Sequence, residues 1–158
     1  MSKERTSHAW LLATWFGCGY SPVAPGTAGA LGAIAVAIPL WRFAGFTNLH
    51  FAALSLLALY PAIRVSDIVA NESGLKDPQI VVIDEVLGTW LTLAGATHIS
   101  WVSLGLAFLL FRIFDIWKPP PVRQTERLPG GAGIVLDDMV AGLYGALVLF
   151  VLGWFNFY

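Results

Sequence analysis

Runs of apolar residues alternate along the chain with polar connections, and this pattern predicts about five apolar segments. They lie at residues 28–43, 49–63, 80–96, 101–117 and 138–157. We expect Pro61 to kink or end the second segment, because proline removes a backbone hydrogen bond inside a helix. Most of the segments are shorter than the roughly 20 residues of a simple helical span. The pattern therefore predicts an all-α, polytopic membrane bundle in which some helices are short or tilted.

The amino-acid composition supports a location in a membrane. Hydrophobic residues make up 57% of the 158 positions and charged residues only 12%, and the mean hydropathy is +0.71. An ordinary soluble domain has about 25% charged residues. The formal net charge of -1 gives no basic surface for nucleic acid, which we therefore do not expect as a partner. The length suits one domain, so residues 1–158 are predicted to form a single membrane-embedded domain.

The polar connections differ in length on the two sides of the predicted bundle. Short connections join the first segment to the second and the third to the fourth, whereas long polar stretches lie on the other side. The basic residues on or near that other side are Lys3, Arg5, Arg64, Lys76, Arg112, Lys118, Arg123 and Arg127. Only Arg42 lies at the opposite end. Since cytoplasmic connections carry the excess of positive charge, the basic side is predicted to be cytoplasmic and the C-terminus to lie outside.

Five carboxylates fall at one depth on the predicted cytoplasmic side. Asp84 and Glu85 lie about one turn inside the third segment, and Asp115 lies in the last turn of the fourth. Asp137 and Asp138 open the fifth segment. Taken singly, each acid has a plainer interpretation as a charge at headgroup level or as a helix N-cap, a role that suits Asp137 well. Together they predict a shared acidic site.

Such a group of acids repels strongly unless positive charge offsets it. A hard divalent cation is one source of that charge, and Mg²⁺ prefers oxygen ligands. Arg112 and Lys118 are the other source, since each stands three residues from Asp115. Glu126, in the loop after the fourth segment, is expected to lie outside the acidic group.

Small residues stand close to the acids in the third and fifth segments. Membrane helices approach one another closely through small faces. Ligands on different helices can share one ion only if the helices are that close, although simple helix packing explains the same residues. The small residues are Gly88, Ala141, Gly142 and Gly145.

Two loops have the composition of phosphate-binding sites. A loop rich in proline and glycine, GYSPVAPGTAG, runs into the first segment, with Thr27 as its predicted N-cap. Helix N-termini bind phosphate through free N–H groups. Gly26 and Thr27 are therefore candidate substrate contacts, although helix capping alone also explains them. The loop with Lys118, Arg123 and Arg127 is basic, and either a phosphate-rich lipid headgroup or anionic lipid in general accounts for it.

Three long blocks of the sequence carry most of these features. They read FGCGYSPVAPGTAG, IVVIDEVLGTWLTL and FRIFDIWKPPPVRQTERLPGGAGIVLDDMVAG. In order and spacing they resemble the signature blocks of the bacterial phosphatidylglycerophosphatase A family, and the resemblance covers roughly residues 10–145. It implies a multi-pass enzyme of the bacterial inner membrane, and the topology above places its site on the cytoplasmic face. The implied reaction is the Mg²⁺-dependent hydrolysis of phosphatidylglycerophosphate to phosphatidylglycerol and phosphate.

The resemblance also assigns individual positions. Asp84 and Glu85 form the acidic pair of the middle block. Asp115 and Lys118 fill the FRxxDxxKP pattern, and Asp137 and Asp138 form the terminal acidic pair. Two departures, a run of prolines after Lys118 and Cys18 in the first glycine block, touch no proposed ligand. The implied partner is the phospholipid substrate in the membrane, and a homo-oligomer is also compatible with the sequence.

These assignments lead to a mechanism hypothesis in which water activated by Mg²⁺ attacks the terminal phosphate. Asp137 acts as the general base or supports a metal ligand, while Lys118 and Arg112 neutralise phosphate oxygens. An aspartyl nucleophile is the alternative to water. The predicted metal ligands are Asp84, Glu85, Asp115 and Asp138. The remaining predicted substrate contacts are Arg123, Gly26 and Thr27.

A different class of function uses the same residues. Carboxylates inside a membrane also line ion pathways, so a small cation- or proton-coupled transporter is the alternative. Such a path needs acids that continue to the outer side. The sequence offers only Arg42 and His50 there and no acid, which argues against an ion path. A non-catalytic assembly subunit leaves the acidic group unexplained. Among enzymes, the closest alternative is a synthase that transfers lipid headgroups. Such an enzyme normally has a longer motif with Asp-Gly, then Ala-Arg, then two further aspartates, and this motif is absent here.

Overall fold

The computed structural model describes residues 6–158, and this part of the chain is helical without β-strands. A short 3₁₀ turn, Cys18–Tyr20, lies between the first two helices. The seven α-helices are α1 (Ser7–Ala13), α2 (Pro25–Ala44), α3 (Asn48–Ser73), α4 (Ile83–Ala94), α5 (Trp101–Trp117), α6 (Val122–Thr125) and α7 (Gly131–Trp154). The predicted all-α fold class is confirmed.

Three of the described helices are long and apolar enough to cross a membrane. They are α2, α3 and α7, with 20, 26 and 24 residues. Helices α4 and α5 coincide with the third and fourth predicted segments but have only 12 and 17 residues. A simple span needs roughly 20. The prediction of short helices is thus correct, whereas the number of about five spans stays a prediction.

Helix α3 is longer than the sequence pattern indicates. Pro61 lies inside it, and the helix continues to Ser73 instead of ending near residue 63. In an apolar bundle, neighbouring groups tolerate a proline within a helix. The extra turns are amphipathic, with Ser66 and Val69 buried. A prediction based only on runs of apolar residues therefore ends this helix too early, because its last turns are apolar on only one face.

Helix α7 begins seven residues before the predicted start at position 138. Its N-cap position is Gly130, and the backbone N–H of Gly131 donates a hydrogen bond of 3.2 Å to Asp67 Oδ1. A side chain of α3 therefore satisfies one of the free N–H groups at the start of α7. This contact between distant parts of the chain cannot be seen in the local sequence pattern.

Helix α1 and the turn after it hold the start of α4 in place. The backbone N–H of Val82 donates to the carbonyl of Ala13 over 2.8 Å. The carboxylate of Glu72 accepts hydrogen bonds from Trp10 Nε1 and from the hydroxyl of Thr6, both at 2.6 Å, and so ties α1 to α3. The N-terminal helix thus fixes the residues that directly precede Asp84.

Helix α4 is the centre of the bundle. It packs against α2, α3, α5 and α7, and ten of its 12 residues are buried. Beyond its first turn, which holds Asp84 and Glu85, the helix carries no charged residue, as suits a helix covered by its neighbours. Because its neighbours cover it, α4 can be shorter than a membrane span.

Helices α4 and α7 meet through glycines with almost no side-chain layer between them. A Cβ added at Gly142 would lie 2.6 Å from the carbonyl oxygen of Gly88, and one added at Gly88 would lie 2.8 Å from that of Asp138. The hydroxyl of Thr92 reaches the carbonyl oxygens of Gly88 and Gly142 at 2.9 and 3.2 Å. The predicted small face is therefore where the two helices touch.

This contact predicts a sharp difference between two glycine substitutions. Gly142→Ala places a methyl group against backbone, so the helices must separate. The free energy of unfolding is expected to fall by about 1–3 kcal/mol. The control is Gly105→Ala on the exposed face of α5, where nothing lies within 4 Å of the added Cβ. Alanine is expected to stabilise the helix there by about 0.5–1 kcal/mol. Thermal unfolding by circular dichroism in detergent measures both, and equal shifts would contradict the tight contact.

Candidate functional site

An open pocket of about 450 Å³ lies at the end of the bundle where α2, α4 and α7 begin and α5 ends. Six carboxylates and two basic side chains line it. The acids are Asp77, Asp84, Glu85, Asp115, Asp137 and Asp138, and the bases are Arg112 and Lys118. The structure thus brings all five predicted carboxylates into one pocket.

Asp137 and Asp138 enter the pocket from well inside a helix. Because α7 begins at Gly131, the two aspartates stand nearly two turns after its start. Neither of them caps the helix, so the interpretation of Asp137 as an N-cap is wrong. Asp84 and Glu85 belong to the first turn of α4, where the helix dipole favours negative charge.

Three of the carboxylates form a compact group. One oxygen from each of Asp84, Glu85 and Asp138 lies within 4.8 Å of the others. The side chains of Asp84 and Asp138 are buried, and Asp84 Oδ1 and Glu85 Oε2 have no hydrogen-bond partner among the described residues. Buried carboxylates need positive charge or hydrogen bonds nearby. This set of hard oxygen donors fits a divalent cation such as Mg²⁺.

The other two predicted acids each contact a cation of the protein itself. Arg112 forms an ion pair with Asp115 within the last turns of α5. Lys118 Nζ lies 2.9 Å from Asp137 Oδ2. Asp115 was predicted as a fourth metal ligand. It lines the same pocket, but its carboxylate is bound to Arg112 and lies outside the group of three.

Lys118 occupies an unusual backbone conformation directly after α5. Its φ of 48° lies in the left-handed region, as does that of Ala24 at the start of α2, and both residues line the pocket. Strained backbone of this kind is enriched at functional sites. Burial lowers the pKa of Lys118, but the hydrogen bond and charge of Asp137 outweigh it and raise the pKa above its usual range. The ammonium group is therefore charged.

Glu126 lies closer to this group than the sequence indicates. Its Oε1 is 3.4 Å from Lys118 Nζ, but Glu126 is not among the carboxylates that line the pocket. The loop after α5 folds back over the pocket, which brings the residue eight positions after Lys118 next to it. The side chain of Glu126 is half-exposed.

The N-terminal end of α2 forms one wall of the pocket. Gly26 lines it, and a Cβ at this position would collide with the carboxylate of Glu85. Thr27 does not line the pocket, and it is not the N-cap, because the helix begins at Pro25 with Ala24 as its cap. Proline is favoured at the first position of a helix, which explains the earlier start.

Arg123 lies in a second pocket beside the first. This pocket has a volume of about 200 Å³, and its basic lining residues are Lys118, Arg123 and Arg127. Lys118 therefore lines both pockets. We call them the acidic pocket and the basic pocket.

Two polar residues of the acidic pocket, Asp77 and Gln79, were not predicted. Both belong to the loop before α4, and both side chains are exposed at the mouth of the bundle. Their position a few residues before Asp84 is the only sequence signal for them. A loop so close to a predicted ligand has to pass near the site.

Comparisons with known proteins agree on one family. The family model for phosphatidylglycerophosphatase A matches residues 11–153. A phosphatidylglycerophosphatase A of Escherichia coli is 36% identical over 155 residues, which cover 96% of this chain and 88% of the relative. The one of Haemophilus influenzae is 36% identical over 149 residues, covering 90% and 86%.

A third relative has a different name. A protein of Bacteroides thetaiotaomicron is 41% identical over 149 residues, which cover 91% of this chain and 92% of the relative. It is provisionally named a phosphatidylinositol-3-phosphatase. No solved structure matches the chain.

Proposed function

The chain belongs to the phosphatidylglycerophosphatase A family, and we propose that it hydrolyses phosphatidylglycerophosphate to phosphatidylglycerol and inorganic phosphate with the help of Mg²⁺. The observation that carries this proposal is the acidic pocket, in which three clustered carboxylates face two basic side chains. The names of all three relatives describe removal of a phosphomonoester from a lipid headgroup.

The donor set determines where the cation would bind. Asp84, Glu85 and Asp138 offer oxygens close enough to share one ion. Asp84 Oδ1 and Glu85 Oε2 have no hydrogen-bond partner among the described residues, so both oxygens are free to bind a cation. When bound, Mg²⁺ would offset the charge of the phosphate dianion and make water at the site more acidic.

The basic side chains of the acidic pocket would bind the phosphate. Arg112 presents a guanidinium fork that matches phosphate oxygens, and Asp115 holds it in position. Lys118 adds a second positive charge, which Asp137 orients. Both cations would stabilise the negative charge of the transition state.

In this proposal Asp137 acts as the general base. Its Oδ2 accepts the hydrogen bond from Lys118, whereas its Oδ1 is buried and has no hydrogen-bond partner in the described chain. A free carboxylate oxygen beside the phosphate can accept a proton from the attacking water. In this assignment Lys118 fixes the orientation of the base as well as neutralising the phosphate.

A transporter fits the structure less well. The helices carry a second pocket at the opposite end of the bundle, next to Trp41, Asn48 and His98. No carboxylate lines that pocket. An ion path needs acceptor groups along its length, and here the acids that the structure describes are confined to one end.

We also propose that the protein lies in the bacterial inner membrane with the acidic pocket facing the cytoplasm. Most described basic residues lie at the pocket end, and Arg42 lies near the opposite end of α2. This distribution supports the orientation through the positive-inside rule. Lys3 and Arg5, which were predicted on the same side, lie outside the described residues.

The first test is the metal dependence of the reaction. Purified protein in detergent is expected to release phosphate from phosphatidylglycerophosphate, to lose this activity on chelation and to regain it with added Mg²⁺. Mn²⁺ is expected to substitute, because it also prefers oxygen ligands. Full activity after exhaustive chelation would contradict the proposed cation.

The second test removes one ligand charge at a time. Asp84→Asn and Asp138→Asn keep the side-chain size, and each is expected to lower turnover about 100-fold or more. The double variant should lose little beyond the worse single variant, because groups that act as one unit are not additive. The control is Asp67→Asn, which keeps the acceptor oxygen at the start of α7 and should stay near wild type. Near-normal turnover of Asp138→Asn would remove this residue from the site.

The third test concerns the topology. In a background without Cys18, single cysteines at Lys76 and Arg123 are expected to react with an impermeant label from the cytoplasmic side. A cysteine at Asn48, at the start of α3 and the other end of the bundle, is expected to react from outside. Labelling of positions 48 and 123 from the same side would overturn the proposed orientation.

A further inference from the structure

The basic pocket is separate from the acidic pocket but shares a wall with it. Arg123 and Arg127 come from α6 and the loop after it, and Lys118 stands where the two pockets meet. None of the described carboxylates lines the basic pocket. Two pockets therefore lie side by side, and among the charged residues described, one is lined by clustered acids with two bases and the other only by bases.

The two arginines of the basic pocket are free to bind an anion. Both side chains are exposed, and neither forms an ion pair within residues 6–158. A guanidinium group binds phosphate through two parallel hydrogen bonds. By contrast, Arg112 and Lys118 in the acidic pocket already contact carboxylates.

The basic pocket also borders the apolar surface of the protein. Trp117 lines it and is 66% exposed, while Ile113, one turn earlier, and Ile116, the preceding residue, are 52% and 72% exposed. Tryptophan is enriched where a membrane meets water. A phosphate in this pocket would therefore lie beside apolar side chains that suit acyl chains.

We propose that the basic pocket binds the phosphodiester of the substrate headgroup while the acidic pocket holds its terminal phosphomonoester. This inference rests on the proposed function. Phosphatidylglycerophosphate carries these two phosphates on one glycerol unit, with the diester nearer the acyl chains. The two adjoining pockets match this order, and Lys118 lies between the two phosphates. Arg123 and Arg127 are then specificity residues that distinguish this lipid from one with a single phosphate.

The test compares two lipids in uncharged detergent micelles. Phosphatidylglycerophosphate has both phosphates, whereas phosphatidic acid has only the phosphomonoester. The variant is Arg123→Gln/Arg127→Gln, and the matched control is Arg64→Gln, an exposed arginine of α3 that lines neither pocket. Phosphatidic acid is measured as a substrate if the wild type hydrolyses it, and otherwise as a competitor of phosphatidylglycerophosphate.

The expected result is a change confined to one lipid. The double variant should raise KM for phosphatidylglycerophosphate about tenfold or more, since charge-assisted hydrogen bonds are lost. The kcat and the unfolding temperature should stay near the wild-type values. So should the KM for phosphatidic acid or, if it is only a competitor, its inhibition constant. Arg64→Gln should change none of them.

Two results would overturn the inference while the proposed function stands. Equal weakening for both lipids would show that the arginines attract anionic lipid in general, and no change for either would show that they bind no substrate. Failure of the wild type to release phosphate from phosphatidylglycerophosphate would instead overturn the proposed function itself.

Discussion

The direct backbone contact between α4 and α7 is the constraint on which the candidate site depends. Asp84 stands one turn before Gly88, and Asp138 stands one turn before Gly142. Because these glycines let the two backbones touch, the carboxylates one turn away come within reach of a shared ion. A side-chain layer at this crossing would separate the helices and with them the acids. The distance between the charges is therefore set by packing and not by the charges, which repel each other.

The electrostatics of the acidic pocket divide its carboxylates into two kinds. Asp115 and Asp137 each have a basic partner, so their charge is largely offset by the protein itself. The group formed by Asp84, Glu85 and Asp138 has no ion pair with a basic side chain of residues 6–158. Burial of like charges without compensation is unfavourable. A fold that keeps three of them together has either a cation or protons at the site, and the proposed function requires the cation.

The sequence predicted the acidic site better than it predicted the helices. Asp84, Glu85 and Asp138 could be found because charges are rare in apolar segments, so their equal depth is conspicuous. The end of α3 and the start of α7 could not be predicted. The first lies in an amphipathic extension and the second depends on the contact of Asp67 with Gly131, and both are set by tertiary packing. The residues that the loop before α4 contributes to the pocket were missed for the same reason. A loop residue such as Asp77 carries no periodic signal, and only the fold places it in the pocket.

The backbone at Lys118 has a consequence for any effort to make this protein more heat-resistant. A residue other than glycine in the left-handed region loses roughly 1–2 kcal/mol, and glycine would avoid this loss. Glycine has no ammonium group, however, and would leave Asp137 and both pockets without their shared cation. Removing one partner of a buried ion pair costs about 3–5 kcal/mol, so the lost contact with Asp137 outweighs the relieved strain, and glycine is expected to destabilise the protein. Heat resistance therefore has to be sought elsewhere in the chain, because the strained backbone and the ion pair of Lys118 cannot be separated.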